Sequence, residues 1–183
     1  MIARAKAAPG KLNYASAGTG TANHIDMEVF KGAGGFNLTH VPYAGSPQSV
    51  IDLIAGRVDV MFTSIPLVVG HVKTGKVRAL SLAGAARSPL LPEVPTVDEA
   101  TGLRGVQAGS WMGLLTPAGV PRAIVTRLHQ AAAQVVQTPD VRARLMAQGG
   151  EPVGNSPQEF AVFLRADFEK NGAAVRGAGL KAE

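Results

Sequence analysis

The chain has 183 residues, 46% hydrophobic and 17% charged, enough for one large or two small domains with a real core. It has no cysteine, which excludes a disulfide framework, a thiolate metal site and a thiol nucleophile, and no apolar run reaches the ~20 residues of a membrane span. The net charge of +5 suits an anionic ligand, but the arginines from Arg57 to Arg176 stand singly, without the basic stripe and interleaved aromatics of a nucleic-acid surface, so no nucleic-acid partner is expected.

Residues 1–8 form a short Ala-rich amphipathic stretch that lacks the apolar segment and cleavage site of a signal peptide. Strands are predicted at 11–15, 38–43, 58–62 and 77–83. Helices are predicted at 22–31, on the spacing of Ile25, Val29 and Phe30, and at 47–55, on Val50, Ile51 and Ile54. This alternation is the signature of an α/β domain with a mainly parallel sheet flanked by helices. Ser46-Pro47, Thr138-Pro139 and Ser156-Pro157 each read as an N-cap hydroxyl before a first-turn proline, and the runs opening at Thr96 and Ser156 match the capping box through Glu99 and Glu159. Gly56 and Gly149 fall where helices need a left-handed stop.

Prolines 89, 92 and 95 describe an extended surface loop. One more strand is predicted at 107–115, followed by helices at 122–137, 140–148 and 158–172, with a domain boundary close to Gly109 that separates 1–108 from 109–183. Three amphipathic helices after one strand leave Phe160, Phe163, Leu164 and Phe168 in need of cover. Either they pack together as a small bundle, or a sheet from a missing segment or another chain covers them, and in the second case two chains would pair.

The chemistry concentrates in Tyr14-Ala15-Ser16-Ala17-Gly18-Thr19-Gly20-Thr21-Ala22-Asn23-His24, a strand running through a Gly/Ser/Thr loop into a helix. Unpaired first-turn N–H groups, glycines that allow close approach, and the hydroxyls of Ser16, Thr19 and Thr21 favour an anion. The same residues also make a well-capped helix entry. The dinucleotide fingerprint fails because Asn23 stands where its third glycine belongs, and the P-loop lysine is missing. A second loop, from His40 through Tyr43, Ala44 and Gly45 to Pro47, and a third at Thr63-Ser64 leave strands in the same way. In a parallel sheet the three share the carboxyl edge, where open α/β proteins bind ligands.

Tyr43 either lines that pocket and donates its hydroxyl or packs with a wet tip. His24 lies in the first turn after the loop, while His40, His71 and His129 have no partner at metal-ligand spacing, so neither a metal nor another cofactor is expected. The stretch around Ser110 misses the nucleophile-elbow pattern by one residue, and Asp26, Glu28, Asp52 and Asp59 read as solvated or capping groups; no catalytic set emerges.

Several motifs in order resemble one family, the Bug-type solute receptors of tripartite tricarboxylate transporters. They are Pro9-Gly10-Lys11-Leu12-Asn13-Tyr14, the loop from Ser16 to Thr21 with His24, Val41-Pro42-Tyr43-Ala44-Gly45-Ser46, Arg87-Ser88-Pro89 with Pro92-Glu93-Val94-Pro95-Thr96, Trp111-Met112-Gly113-Leu114-Leu115, Pro117-Ala118-Gly119-Val120-Pro121 and Gly149-Gly150-Glu151-Pro152-Val153-Gly154. The resemblance implies a type II periplasmic-binding-protein-like fold of two lobes that binds a small carboxylate in the periplasm and delivers it to membrane transporter subunits. It assigns 1–108 to the second lobe and 109–183 to a crossing strand and C-terminal helices of a first lobe, whose N-terminal part, with any export signal, is expected to precede Met1. Ser16, Gly18, Thr19, Gly20, Thr21, His24, Tyr43, Ala44, Gly45 and Ser64 are the ligand-binding residues it implies, and Thr63-Ser64 departs from the acidic or amide residue that relatives often carry. The alternative is a non-transport interaction or signalling module derived from such a receptor, self-associating through its tail.

Overall fold

The computed structural model describes residues 1–104, 106 and 111–177. A parallel sheet is built from β1 (Asn13–Ser16), β2 (Thr39–Pro42) and β3 (Val60–Met61) in the order β2-β1-β3. Asn13 sits opposite Thr39 and Ser16 opposite Pro42, while Tyr14 and Ala15 face Val60 and Met61. Being central, β1 is covered on both sides, with Tyr14, Ala15 and Ser16 all at 0% exposure. The two-residue β3 is fixed by a reciprocal pair: the Asn13 N–H donates to Asp59 Oδ2 and the Asp59 N–H to Asn13 Oδ1, both at 2.8 Å.

The helices α1 (Ile2–Ala7), α2 (Ala22–Gly34), α3 (Ser46–Ile54), α4 (Ile65–Lys73) and α5 (Val97–Thr101) surround this sheet. The chain leaves β1 through α2 to β2, then returns through α3 to β3 on the other side of β1. That reversal makes the carboxyl end of β1 a topological switch point. Helix α2 buries His24, Met27 and Phe30, a row three residues apart, rather than the predicted Ile25 and Val29, which stay half-buried. It continues past residue 31 to a left-handed stop at Gly35, with φ 61°. Ala5, Tyr14, Met27, Phe30, Phe36, Leu38, Val97 and Val106 form the core, in which Phe30 meets Phe36 and Phe62 edge-on. Gly56 and Gly149, with φ of 70° and 74°, stop helices as read from the sequence.

Several expectations fail for local reasons. Residues 77–83 form no strand, only a bridge of Leu82 to Thr96. On the partner segment Pro95 has no N–H and α5 begins at Val97, so the ladder cannot extend. The proline loop is not wholly superficial, since Leu91 and Val94 are buried. Helix α4 was not anticipated, because Ile65-Pro66-Leu67-Val68-Val69 reads as a buried strand as readily as a helix. Ser46 is itself the first residue of α3, and Gly45 takes the cap position. The capping boxes of Thr96 with Glu99 and Ser156 with Glu159 are formed.

Contacts divide the chain into two compact units, one from the described residues of 1–110 and 171–183, the other Trp111–Lys170. The second unit contains α6 (Arg122–Val136), α7 (Pro139–Ala147) and most of α8 (Pro157–Gly177). Of the strand predicted at 107–115, residues 107–110 lie outside the described residues and 111–115 are not in a strand. Trp111 packs edge-on against Phe160 and Phe163 and donates its indole N–H to Asp167 at 3.0 Å. The expected burial of the tail aromatics is only partial. Phe160 and Leu164 are half-buried, but Phe163 is 41% exposed and Phe168 81%, because Trp111 covers one flank of α8 and leaves the rest open. Among the described residues no helix is long and apolar enough to cross a membrane.

Candidate functional site

All three strand-to-helix loops open on the carboxyl edge of the sheet. After β1 the chain turns through Gly18, at φ 135°, and Gly20, at φ 77°, conformations that L side chains rarely adopt. The Thr21 hydroxyl donates to the Gly18 carbonyl at 2.6 Å, and the Gly18 N–H donates to Ser16 Oγ at 3.1 Å. The Gly20 N–H donates to His24 Nδ1 at 3.0 Å. The hydroxyls of Ser16 and Thr21 and the backbone donor of Gly20 are thus spent on the loop itself, and Thr19 and Gly20 are exposed at its tip. The side chain of Asn23 crosses to the residue after β3, donating to the Phe62 carbonyl at 2.7 Å.

The second loop is tied to the first by the Tyr43 N–H, which donates to the Ser16 carbonyl at 3.1 Å. The Tyr43 hydroxyl donates to Asp52 Oδ2 at 2.8 Å, and Asp52 also pairs with Arg57 at 2.9 Å. That hydroxyl is therefore engaged, and the acid pushes its pKa up. Ala44 is exposed, and Gly45, at φ 140°, caps α3. In the third loop Ser64 caps α4 and is exposed, while the Thr63 hydroxyl oxygen is buried without a hydrogen-bond partner. None of the caps Thr21, Gly45 and Ser64 makes a side-chain cap hydrogen bond; Pro47 and Pro66 have no N–H, and the His24 and Leu67 N–H groups donate to the Thr21 and Ser64 carbonyls, which leaves the N–H groups of Ala22, Asn23, Ser46 and Ile65 to donate at the helix starts.

Beneath the first loop lies a cluster of rings. His24 and His40 stack with centroids 3.9 Å apart and planes 6° from parallel, and Tyr14 stacks on His40 at 4.8 Å. His40 Nε2 lies 2.6 Å from Ser16 Oγ. The Tyr14 hydroxyl donates to Glu28, which also pairs with Lys31 at 2.6 Å. Burial pushes the Tyr14 hydroxyl far up, with help from the Glu28 carboxylate, and keeps it protonated. Burial pushes His24 down, and together with the neighbouring His24 ring it pulls His40 down to about 4. Both imidazoles are neutral at physiological pH.

A neutral, glycine-lined edge facing three helix N-termini is suited to an anion held by main-chain donors. The Ser16 to His40 contact has the distance of a nucleophile and its base, but Ser16 has no exposed surface, so the pair shapes the loop rather than attacking a substrate. Among the described residues no group of three His, Asp or Glu side chains could hold a metal. Of the residues read from the sequence, the structure brings Ser16, Gly18, Thr19, Gly20, Thr21, Tyr43, Ala44, Gly45 and Ser64 to this edge, and sets His24 under the loop. Sequence reasoning placed Tyr14, Asn23, His40 and Thr63 in or beside these loops but gave their side chains no role, and read Glu28 as a solvated or capping group. For His40 the available signal was its place three residues before Tyr43, on the strand beside β1, which needs the strand register to interpret.

Residues 1–180 match the family model described as the tripartite tricarboxylate transporter family receptor. The UPF0065 protein in the tcbD-tcbE intergenic region of Pseudomonas sp. strain P51 is 38% identical over 170 residues, covering 93% of this chain and 51% of that protein. The solved structure of R. palustris Rpa4515 with adipate is similar at a TM-score of 0.86 and 32% identity, over 97% of this chain and 59% of that one. That of MatC (Rpa3494) from Rhodopseudomonas palustris with bound malate gives 0.82 and 30%, over 95% and 60%. The chain spans about half the length of that curated relative.

Proposed function

Because the chain belongs to the tripartite tricarboxylate transporter receptor family, we propose that its first unit is the carboxylate-gripping lobe of a solute-binding receptor. The observation that carries this reading is the convergence of three strand-to-helix loops on one edge, with exposed Thr19, Gly20, Ala44 and Ser64 around uncapped first turns. The ligand is a small carboxylate, and the adipate and malate of the two solved relatives are the first candidates. Main-chain N–H groups in the first turns of α2, α3 and α4 grip it, with the exposed Ser64 beside them. Binding and handover are the whole activity, with no reaction catalysed. Residues 1–108 act as the second lobe and 109–183 contribute to the first; the receptor works in the periplasm and delivers its ligand to membrane transporter subunits.

The test is an amide NMR titration of the 183-residue chain with adipate, malate, acetate and, as a neutral control, adipamide. Thr19, Gly20, Ala44 and Ser64 should shift with at least one carboxylate and not with adipamide. Affinity should be modest, because these groups are exposed and polar contacts in high dielectric are weak. Shifts confined to other regions, or equal shifts with adipamide, would overturn the assignment. A second reading, pairing of two copies through the tail, is favoured by the apolar surface that the second unit exposes, with Val162 at 70% and Phe168 at 81%. A sedimentation mass that rises with concentration supports it, and a single monomer throughout overturns it.

A further inference from the structure

We propose that His24 and His40 are positioning residues for the ligand loop: the neutral His24 ring, held flat against His40, accepts the Gly20 N–H and so fixes the loop, and protonation of His24 releases its Gly20 end. The inference rests on the reading that this edge binds a carboxylate, but it concerns two side chains that do not themselves reach the ligand. His24 is 2% exposed and spends Nδ1 on Gly20, four residues earlier in the chain. An imidazole that accepts at Nδ1 carries its proton on Nε2. Adding a second proton at Nδ1 sets N–H against N–H, and Gly20 must turn away.

His40 secures the other end of the same loop. Its Nε2 meets Ser16 Oγ, which accepts the Gly18 N–H and lies 3.1 Å from the Gly18 carbonyl. The two glycines that give the loop its shape are therefore each held by one histidine, directly in one case and through a serine in the other. At 3.9 Å between ring centroids the two cannot both be charged without strong repulsion. The charged groups acting on the rings are Glu28 and Lys31, both on α2, and they oppose each other. From β1 the rings are faced by Tyr14 and Ser16, neither of which is charged near neutral pH. Acid therefore breaks the Gly20 to His24 bond, while Ser16 Oγ, which can accept from a His40 Nε2–H, keeps its place at Gly18.

The experiment follows the Gly18 and Gly20 amides and the histidine ring nitrogens of the labelled chain from about pH 8 to about pH 4.5, without ligand. The Gly20 amide should move with the midpoint of the His24 ring. In His24→Asn the side-chain carbonyl takes the position of Nδ1 but does not titrate, so Gly20 should keep its alkaline shift and stay there. Adipate affinity should fall between about pH 8 and about pH 5 by roughly tenfold more in the wild type than in His24→Asn, about one unit of differential protonation, both proteins meeting the same ligand ionisation. A Gly20 amide that stays flat while His24 titrates, or that stays flat across the whole range, overturns the proposal, as does a His24→Asn protein that titrates like the wild type. Should His24→Asn not fold, coincidence or mismatch of the two wild-type midpoints decides. Failure of adipate to bind at about pH 8 counts against the carboxylate reading alone, because the loop titration needs no ligand.

Discussion

Alanine at Gly18 should cost more stability than alanine at Gly20, and the difference measures how the ligand loop is built. At Gly18, φ is 135°, and an added Cβ would stand 3.4 Å from the Tyr43 carbonyl oxygen and 3.7 Å from Thr21 Cγ2. Those are ordinary contacts, so the cost lies in the backbone, roughly 2–3 kcal/mol for a residue forced into a sparsely populated region. At Gly20, φ is 77° and a Cβ meets nothing within 4 Å. Only the left-handed penalty applies there, about 1 kcal/mol. For a chain of this length each kcal/mol lowers the melting temperature by roughly 2–4 °C. Gly18→Ala should therefore melt about 4–12 °C below the wild type and Gly20→Ala about 2–4 °C below it. Urea midpoints and thermal melts of the three proteins, run side by side, give the comparison. Equal losses, or a larger loss at Gly20, would refute the account of the loop as one whose strain sits at the turn that touches Tyr43.

Acid should destabilise the protein within a defined window. His40 has its ordinary value of 6.5 lowered to about 4, so the unfolded chain takes the proton first; stability is complete above 6.5 and is lost as pH falls toward 4. Allowing for the partial exposure of the ring, the loss is about 1–3 kcal/mol, and urea midpoints that stay constant across this window would contradict it. Tyr14→Phe removes the donor to Glu28 in a fully buried position, while Lys31 still holds the carboxylate. A loss of about 1–3 kcal/mol is expected from denaturant titration, and a value near zero would mean that the Tyr14 to Glu28 bond contributes nothing net. Phe163→Ala should cost only about 1–2 kcal/mol, less than a core phenylalanine, because the ring is 41% exposed, and it should change Trp111 fluorescence, since the two rings pack edge to face. A loss of core size would show that α8 is covered by something beyond Trp111.

The elements legible in the sequence were those whose signal is local. The helix stops at Gly56 and Gly149 and the boxes at Thr96 and Ser156 need only a few residues to form, and they stand where the letters put them. Strands β1 to β3 were found, though each is shorter than the apolar run that announced it, because pairing ends where the partner strand ends. The segment 77–83 has strand composition but finds a proline and a helix start across from it. Helix α4 failed for the opposite reason, a short apolar run rich in branched residues that only its surroundings make helical.

The candidate edge divides in the same way. Sequence alone determined that two Gly/Ser/Thr-rich turns each follow a strand and open a helix, and that Thr63-Ser64 leaves a third strand, because turn chemistry and helix caps are decided within a few residues. What each side chain does there was decided by tertiary structure. The Tyr43 hydroxyl goes to Asp52, the Ser16 hydroxyl to Gly18 and His40, and the His24 ring to Gly20. His24 and His40 lie sixteen positions apart in the chain, and no periodicity relates them. They become a stacked pair only because α2 crosses β1 and β2 in a fixed register, which buries both rings and makes their neutrality a property of the fold.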